Sequence, residues 1–222
     1  MHNFQMNPDI KFAISSHVAF YPITLPIITK SLIESGVDPN DIHFFIGGFT
    51  HNKQINTNPN IYEVNHNSMD FTGLISVLDF DLKADFWFLL HDTVYVGKSF
   101  YNKILSYDYN FDTISLTRNG KSMNMGAYKQ SYLESIRNLL MGHKNQNYDL
   151  DSIHDTKRKA VSTEDCFIHI PKRNFYTANI RYEGPIDFYK NNVPRIIEHF
   201  DDIDLHKIKA NWIAKPQYEI NL

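Results

Sequence analysis

The stretch "DFWFLLHDTVYVG", residues 85–97, decides how the rest of the chain is read. Phe86 to Leu90 are apolar without a break, His91-Asp92-Thr93 follow, and the chain then returns to Val94-Tyr95-Val96. An unalternating apolar run of that length is the pattern of a strand covered on both faces, as in a parallel sheet. The polar residues fall at its carboxyl end. A carboxylate there costs free energy if it is buried unpaired, so Asp92 must meet a cation, hydrogen-bond donors or water. A hard divalent ion bridging to a diphosphate satisfies it, because Mg²⁺ and similar ions bind through one or two carboxylates plus substrate phosphates. Equally, Asp92 caps the next turn with His91 packed beneath it.

Outward from this strand the same organisation recurs. "IKFAISSHV" (10–18) reads as a buried strand running into a loop, and Thr24 as the cap of a helix with Leu25, Ile28, Leu32 and Ile33 on one face and Gly36 just past its end. "DIHFFIGGF" and "NIYEVNHN" supply two further strands, and Ser68 or Asp70 caps a helix carrying Leu74, Ile75, Val77 and Leu78. After the central strand "GKSFYNKILSYD" is helical. Strand alternating with helix predicts an α/β fold, a three-layer α/β/α sandwich with a mostly parallel central sheet. In such sheets ligands bind outside the carboxyl ends of the strands. Those ends are Ser15-Ser16-His17, Gly47-Gly48, Asn65-His66-Asn67 and His91-Asp92-Thr93, all small or polar.

The second half is less regular. "DTISLTRN" reads as a strand, and "SMNMGAYKQSYLESIRNLLM" as a turn and one amphipathic helix with Tyr128, Tyr132, Ile136 and Leu139 or Leu140 inward. Residues 142–163 are polar, carry Lys157-Arg158-Lys159, and read as a loop. "VPRIIEHF" reads as helical, followed by an acidic turn at Asp201-Asp202.

Composition narrows the function classes. The 222 residues are 42% hydrophobic and 21% charged, the balance of an ordinary folded protein, and are read as one domain with halves 1–100 and 101–222. Lys+Arg 22 against Asp+Glu 25 provides no broad basic surface for nucleic acid. A single cysteine, Cys166, and no signal-like or membrane-spanning run point to a cytoplasmic protein.

"DFWFLLHDTVYVG" resembles the strand and DxD-type motif of GT-A glycosyltransferases, with Asp92 alone where two carboxylates are usual. "SMNMGAYK" is similar to the glycine-bearing segment beside the donor sugar, and "STEDCF" to the motif that carries the catalytic base of inverting members. The resemblance implies a nucleoside-diphosphate-sugar donor and a glycan, lipid-linked or protein acceptor. It implies Mn²⁺ or Mg²⁺ on Asp92, donor binding by Ser15, Ser16, His17, Gly47, Gly48, Asn65, His91, Asp92, Thr93, Asn124 and Gly126, and Asp165 or Glu164 as base. Two adjacent carboxylates raise one another's pKa, which suits a base, although an acidic pair at a helix N-terminus has the same appearance. Gly47-Gly48 leaves room for a nucleoside, or simply ends a strand. Lys157, Arg158 and Lys159 either close over the diphosphate or form a solvated face. Cys166 with His169 lacks an orienting third residue, and His199, His206 and the neighbouring aspartates match no zinc spacing. The rival functions are a catalytically weak sugar-nucleotide or glycan-binding domain and a sugar-nucleotide pyrophosphorylase. The latter expects a Gly-rich basic loop after the first strand, which "SSHVAFYPIT" is not.

Overall fold

The computed structural model describes residues 8–55, 57–116, 125–146, 155, 173–175, 180–183 and 196–209. Its centre is four parallel strands: β1 (Ile10–His17), β2 (Ile42–Gly47), β4 (Asn60–Val64) and β5 (Phe86–His91). The short β3 (Lys53–Ile55) adds antiparallel to β4 at one edge. At the other edge β7 (Thr113–Ser115), β8 (Gly126–Lys129) and β9 (Arg173–Phe175) complete a mixed sheet of order β3-β4-β2-β1-β5-β8-β7-β9. The central strands are parallel as expected, whereas β8 runs antiparallel to both β5 and β7.

The order of the parallel strands decides where a crevice forms. From β1 the chain moves outward to β2 and β4, then returns to place β5 on the opposite side of β1. The connecting helices obey the same reversal. α1 (Tyr21–Glu34), between β1 and β2, packs Ile28 and Leu32 against Phe12, Ile14, Phe44 and Phe88 on one face. α2 (Thr72–Asp79), between β4 and β5, packs Leu74, Ile75 and Leu78 against Ala13, Phe45, Trp87 and Leu89 on the other. Right-handed crossovers require this change of face when the direction of winding reverses. The carboxyl ends of β1 and β5 therefore flank a topological switch point.

α1 begins before Thr24, with Pro22 in its first turn, where a missing N–H is harmless. Thr24 is a buried residue inside the helix, not its cap, and Ile33 is 42% exposed. Gly36 ends the helix as read: its φ is 105°, its N–H reaches Ile33 O, and the Val37 N–H reaches Leu32 O. Ser68 and Asp70 do not cap α2. Ser68 precedes, and Asp70 lies within, a short 3-10 turn (Met69–Phe71) that comes before it.

Behind the α1 face lies a second sheet of order β10-β11-β12-β6, made of β10 (Ile180–Glu183), β11 (Ile196–Phe200), β12 (Leu205–Lys209) and β6 (Val94–Val96). Val94, Val96, Phe200 and Leu205 join the core with Phe100 and Ile104 of α3 (Phe100–Leu105). "IIEHF" is thus strand where helix was expected: the β-branched pair suits a pleated surface, and pairing with β10 and β12 outweighs the apparent helical spacing. The acidic turn at Asp201-Asp202 is present. "GAYK" is likewise strand, so Tyr128 is buried on β8 and not on a helix. After β8 come two short helices, α4 (Gln130–Ser135) and α5 (Arg137–Met141), with Leu140 buried and Leu139 exposed. No helix among the described residues is long and apolar enough to cross a membrane.

Candidate functional site

Side chains alternate across a strand, so successive residues at the end of β5 diverge. His91 goes to the α2 side of the sheet, where its Nε2 lies 3.4 Å from Asp70 Oδ1. Asp92, one residue on, goes to the α1 side. Its Oδ2 accepts the Ser16 hydroxyl at 2.6 Å and the Thr24 hydroxyl at 3.0 Å, and its backbone N–H donates to Ser15 O at 3.1 Å. β1, β5 and α1 therefore meet at one carboxylate. No described side chain donates to Asp92 Oδ1.

Asp92 keeps some accessible surface, but the protein packed around its carboxyl group is dense enough to matter for its ionisation. Burial disfavours its ionised form and pushes its pKa up to about 6; the Ser16 and Thr24 hydroxyls pull it back, and the nearby negative charge of Asp70 raises it again. Burial is the dominant effect. Asp70 is itself almost fully buried, and its backbone is held by Ser15: the Ser15 hydroxyl donates to Asp70 O at 3.0 Å and accepts the Gly73 N–H at 2.9 Å.

The other expected residues distribute along the same edge. His17 Nδ1 accepts the Ala19 N–H at 3.2 Å, and burial holds its pKa below the ordinary histidine value. A side chain at Gly47 would lie 2.7 Å from His66 O, and one at Gly48, whose φ is 99°, would lie 2.7 Å from His17 Nε2. The room these glycines leave is taken by the protein's own backbone and imidazole. Asn65 donates its backbone N–H to Asn52 Oδ1 at 2.8 Å, while its own Oδ1 is buried without a hydrogen bond to any described residue. Thr93 O accepts the Ile208 N–H from β12 at 2.8 Å. Gly126 sits opposite Leu89 on β8, two residues before His91.

The fold thus brings Ser15, Ser16, His91 and Asp92 to the switch point. It adds Thr24 and Asp70, which local sequence reading assigned to helix caps. The signal that could have found them is position: each follows a strand of the parallel core by a few residues, on the loop side of the sheet. Asn124, Glu164 and Asp165 lie outside the described residues, as do Lys157, Arg158, Lys159, Cys166 and His169.

Among the described residues no three His, Cys, Asp or Glu side chains converge to hold a metal ion. His199 and His206 are bonded to each other, Nδ1 to Nδ1 at 2.8 Å. A divalent ion at the crevice would have to rest on one or two carboxylates and on the phosphates of a ligand, and Asp92 through Oδ1 fits that limited role. Searches against protein-family models and against curated proteins returned no match to this chain.

Proposed function

We propose that this chain is a GT-A-like glycosyltransferase that moves a sugar from a nucleoside-diphosphate donor to an acceptor hydroxyl, with inversion and with Mn²⁺ or Mg²⁺. The observation that carries the reading is the position of Asp92: a carboxylate oriented by two hydroxyls, at the switch point between β1 and β5. Ligands of open α/β sheets bind in that crevice. An oriented acceptor for ligand hydroxyls, or one arm of a phosphate-bridging ion, is what a sugar nucleotide requires there.

In this reading Ser16 and Thr24 fix the Asp92 carboxylate so that no reorganisation accompanies binding. A bound divalent ion would supply charge neutralisation for the departing diphosphate. His17 and Asn65 line the nucleoside end, and Gly126 the sugar end. The base is drawn from Glu164-Asp165, by resemblance to inverting members of the family. The decisive measurement is binding and hydrolysis of a panel of UDP-, GDP- and TDP-sugars with and without Mn²⁺; absence of both across the panel removes the reading.

One observation favours a second reading, a donor-binding domain with weak or no turnover. Asp92 Oδ2 is already committed to two protein hydroxyls, and no three-donor metal group occurs among the described residues. Donor binding without turnover, unchanged by Mn²⁺, identifies this alternative.

A further inference from the structure

We propose that His199 and His206 share one extra proton and form a proton-operated clasp on the small sheet, tightest when the pair carries a single positive charge and loosened when it carries none or two. The clasp lies behind the crevice and is independent of what the crevice binds.

Strand register sets the pair up. His199 on β11 lies opposite His206 on β12, with Arg181 of β10 beyond the first and Tyr95 of β6 beyond the second, so one row of side chains crosses the whole sheet. Alternation puts this row on the face away from its neighbours Phe200 and Leu205, which join the core. The two imidazoles are nevertheless well covered, their side chains being 7% and 16% exposed. Each ring is engaged at both nitrogens. The two Nδ1 atoms lie 2.8 Å apart; outward, His199 Nε2 is 3.0 Å from Glu183 Oε2 and His206 Nε2 is 3.5 Å from Asp204 Oδ1. Asp204 is itself fixed, because its Oδ2 accepts the Ser99 N–H at 3.0 Å and the Ser99 hydroxyl at 2.7 Å. The result is an unbroken chain of carboxylate, imidazole, imidazole and carboxylate.

The hydrogens that this chain needs fix its charge. An ionised carboxylate only accepts, so each Nε2 must carry a hydrogen, and the inner contact needs one hydrogen facing one lone pair. That makes one imidazole neutral and the other cationic. A neutral pair is one hydrogen short: either two Nδ1 lone pairs face each other or a carboxylate faces a lone pair. A doubly charged pair sets two N–H groups and two like charges against each other. Only the singly charged pair satisfies every contact.

The surrounding charges favour that state. Glu183, Asp204 and Asp201 attract the first positive charge; Arg181 opposes it but is paired with Asp201 at 3.3 Å, and the Lys103 ammonium is bonded to Asp201 O at 3.1 Å. Tyr95 stacks on His206 at 4.7 Å as a neutral ring, and Glu198 and Lys207 belong to the opposite face of the same strands. Burial first, and then the charge of His199, hold the His206 pKa below the ordinary histidine value, which resists the second proton. Protons enter in two steps that belong to the pair. The clasp reaches the crevice through β12, whose Ile208 N–H holds the Thr93 carbonyl beside Asp92 at 2.8 Å.

Full-length wild type, His199→Gln, His206→Gln and the double variant, melted at intervals from about pH 4.5 to about pH 9, test this, with imidazole nitrogen NMR and amide exchange on the wild type and on His206→Gln. The coupling between the two sites in the double-variant cycle is expected to rise and fall with pH, reaching a few degrees of melting temperature at its maximum. At that maximum the wild-type pair should show a hydrogen on both Nε2 atoms and one shared between the Nδ1 atoms. Exchange of the Ile208 amide, corrected for its intrinsic rate, should be slowest there and at least about tenfold slower than in His206→Gln. A coupling that does not change with pH, or two neutral rings at the maximum, overturns the shared proton; the nitrogen spectrum of wild type decides this even if a variant fails to fold. Ile208 exchange indifferent to the state of the pair overturns the link to the crevice.

Discussion

Ser16 donates its hydroxyl to Asp92 Oδ2 across 2.6 Å, tying the carboxyl end of β1 to that of β5, and Thr24 adds a second hydroxyl from α1 at 3.0 Å. The crevice is thus organised around a carboxyl group that the fold crowds with protein and then supplies with donors.

The pH dependence of Asp92 has a definite sign. Its pKa is raised from 3.8 to about 6, chiefly by burial, so the folded state holds the proton more tightly than the unfolded chain does. The stability this provides is complete below pH 4 and is lost as pH rises towards 6, a change on the order of 3 kcal/mol. Asp92→Asn does not titrate. Its melting temperature relative to wild type should therefore climb between pH 4 and pH 7; a constant difference across that range would refute the buried, proton-holding carboxyl.

Thr24→Val keeps the shape of the side chain and removes one of the two donors to Asp92. A loss of about 1–2 kcal/mol in urea denaturation at pH 7 is expected, together with a further rise in the Asp92 pKa read by carboxyl-carbon NMR. Unchanged values for both would show that Ser16 alone orients the carboxylate.

Two histidines act in the opposite direction to Asp92. Burial lowers the pKa of His43 and of His66 from 6.5 to about 4, so each stabilises the fold fully above pH 6.5 and progressively less as pH falls towards 4. His66 bonds to Ser68 and Ser76, whereas His43 Nε2 makes no hydrogen bond to a described residue and its ring lies among Phe45, Tyr62 and Trp87. His43→Phe should flatten the decline of denaturation midpoints between pH 6.5 and 4. A decline as steep as that of wild type would count against it.

Gly47→Ala is expected to destabilise by more than the ~1 kcal/mol typical of a point substitution, because the new Cβ would lie 2.7 Å from His66 O, a backbone atom that cannot turn away. Thermal melts check this directly; a substitution within about 0.5 kcal/mol of wild type would show that the segment after β4 yields easily.

The parallel core was legible because its cause is local to each strand. Phe86 to Leu90 are apolar since both faces of β5 are covered, and any window containing them shows it. β8 and β11 were not, because "GAYK" and "IIEHF" become strands through partners elsewhere in the chain, and the β-branched Ile196-Ile197 pair is too short a local signal to separate that outcome from a helix. The site divides the same way. Asp92 was visible as a carboxylate at a strand end, while Thr24 reaches it from 68 positions away and has the local surroundings of a helix cap. Asp70 likewise follows Ser68 in a stretch whose hydroxyl and carboxylate suit a helix start; only the register of β1 beside β5 shows what it faces.

β5 belongs to the large sheet and β6 to the small one, and only Asp92 and Thr93 separate them. β6 is paired with β12, from the far end of the described chain, and the Ile208 N–H on that strand holds the Thr93 carbonyl. Contacts between segments so distant in sequence carry a high loop-closure cost and form slowly. The seam between the sheets thus divides the crevice by folding order: Asp92 takes its bonds from Ser15, Ser16 and Thr24, all earlier in the chain, whereas Thr93 beside it waits for the Ile208 N–H of β12.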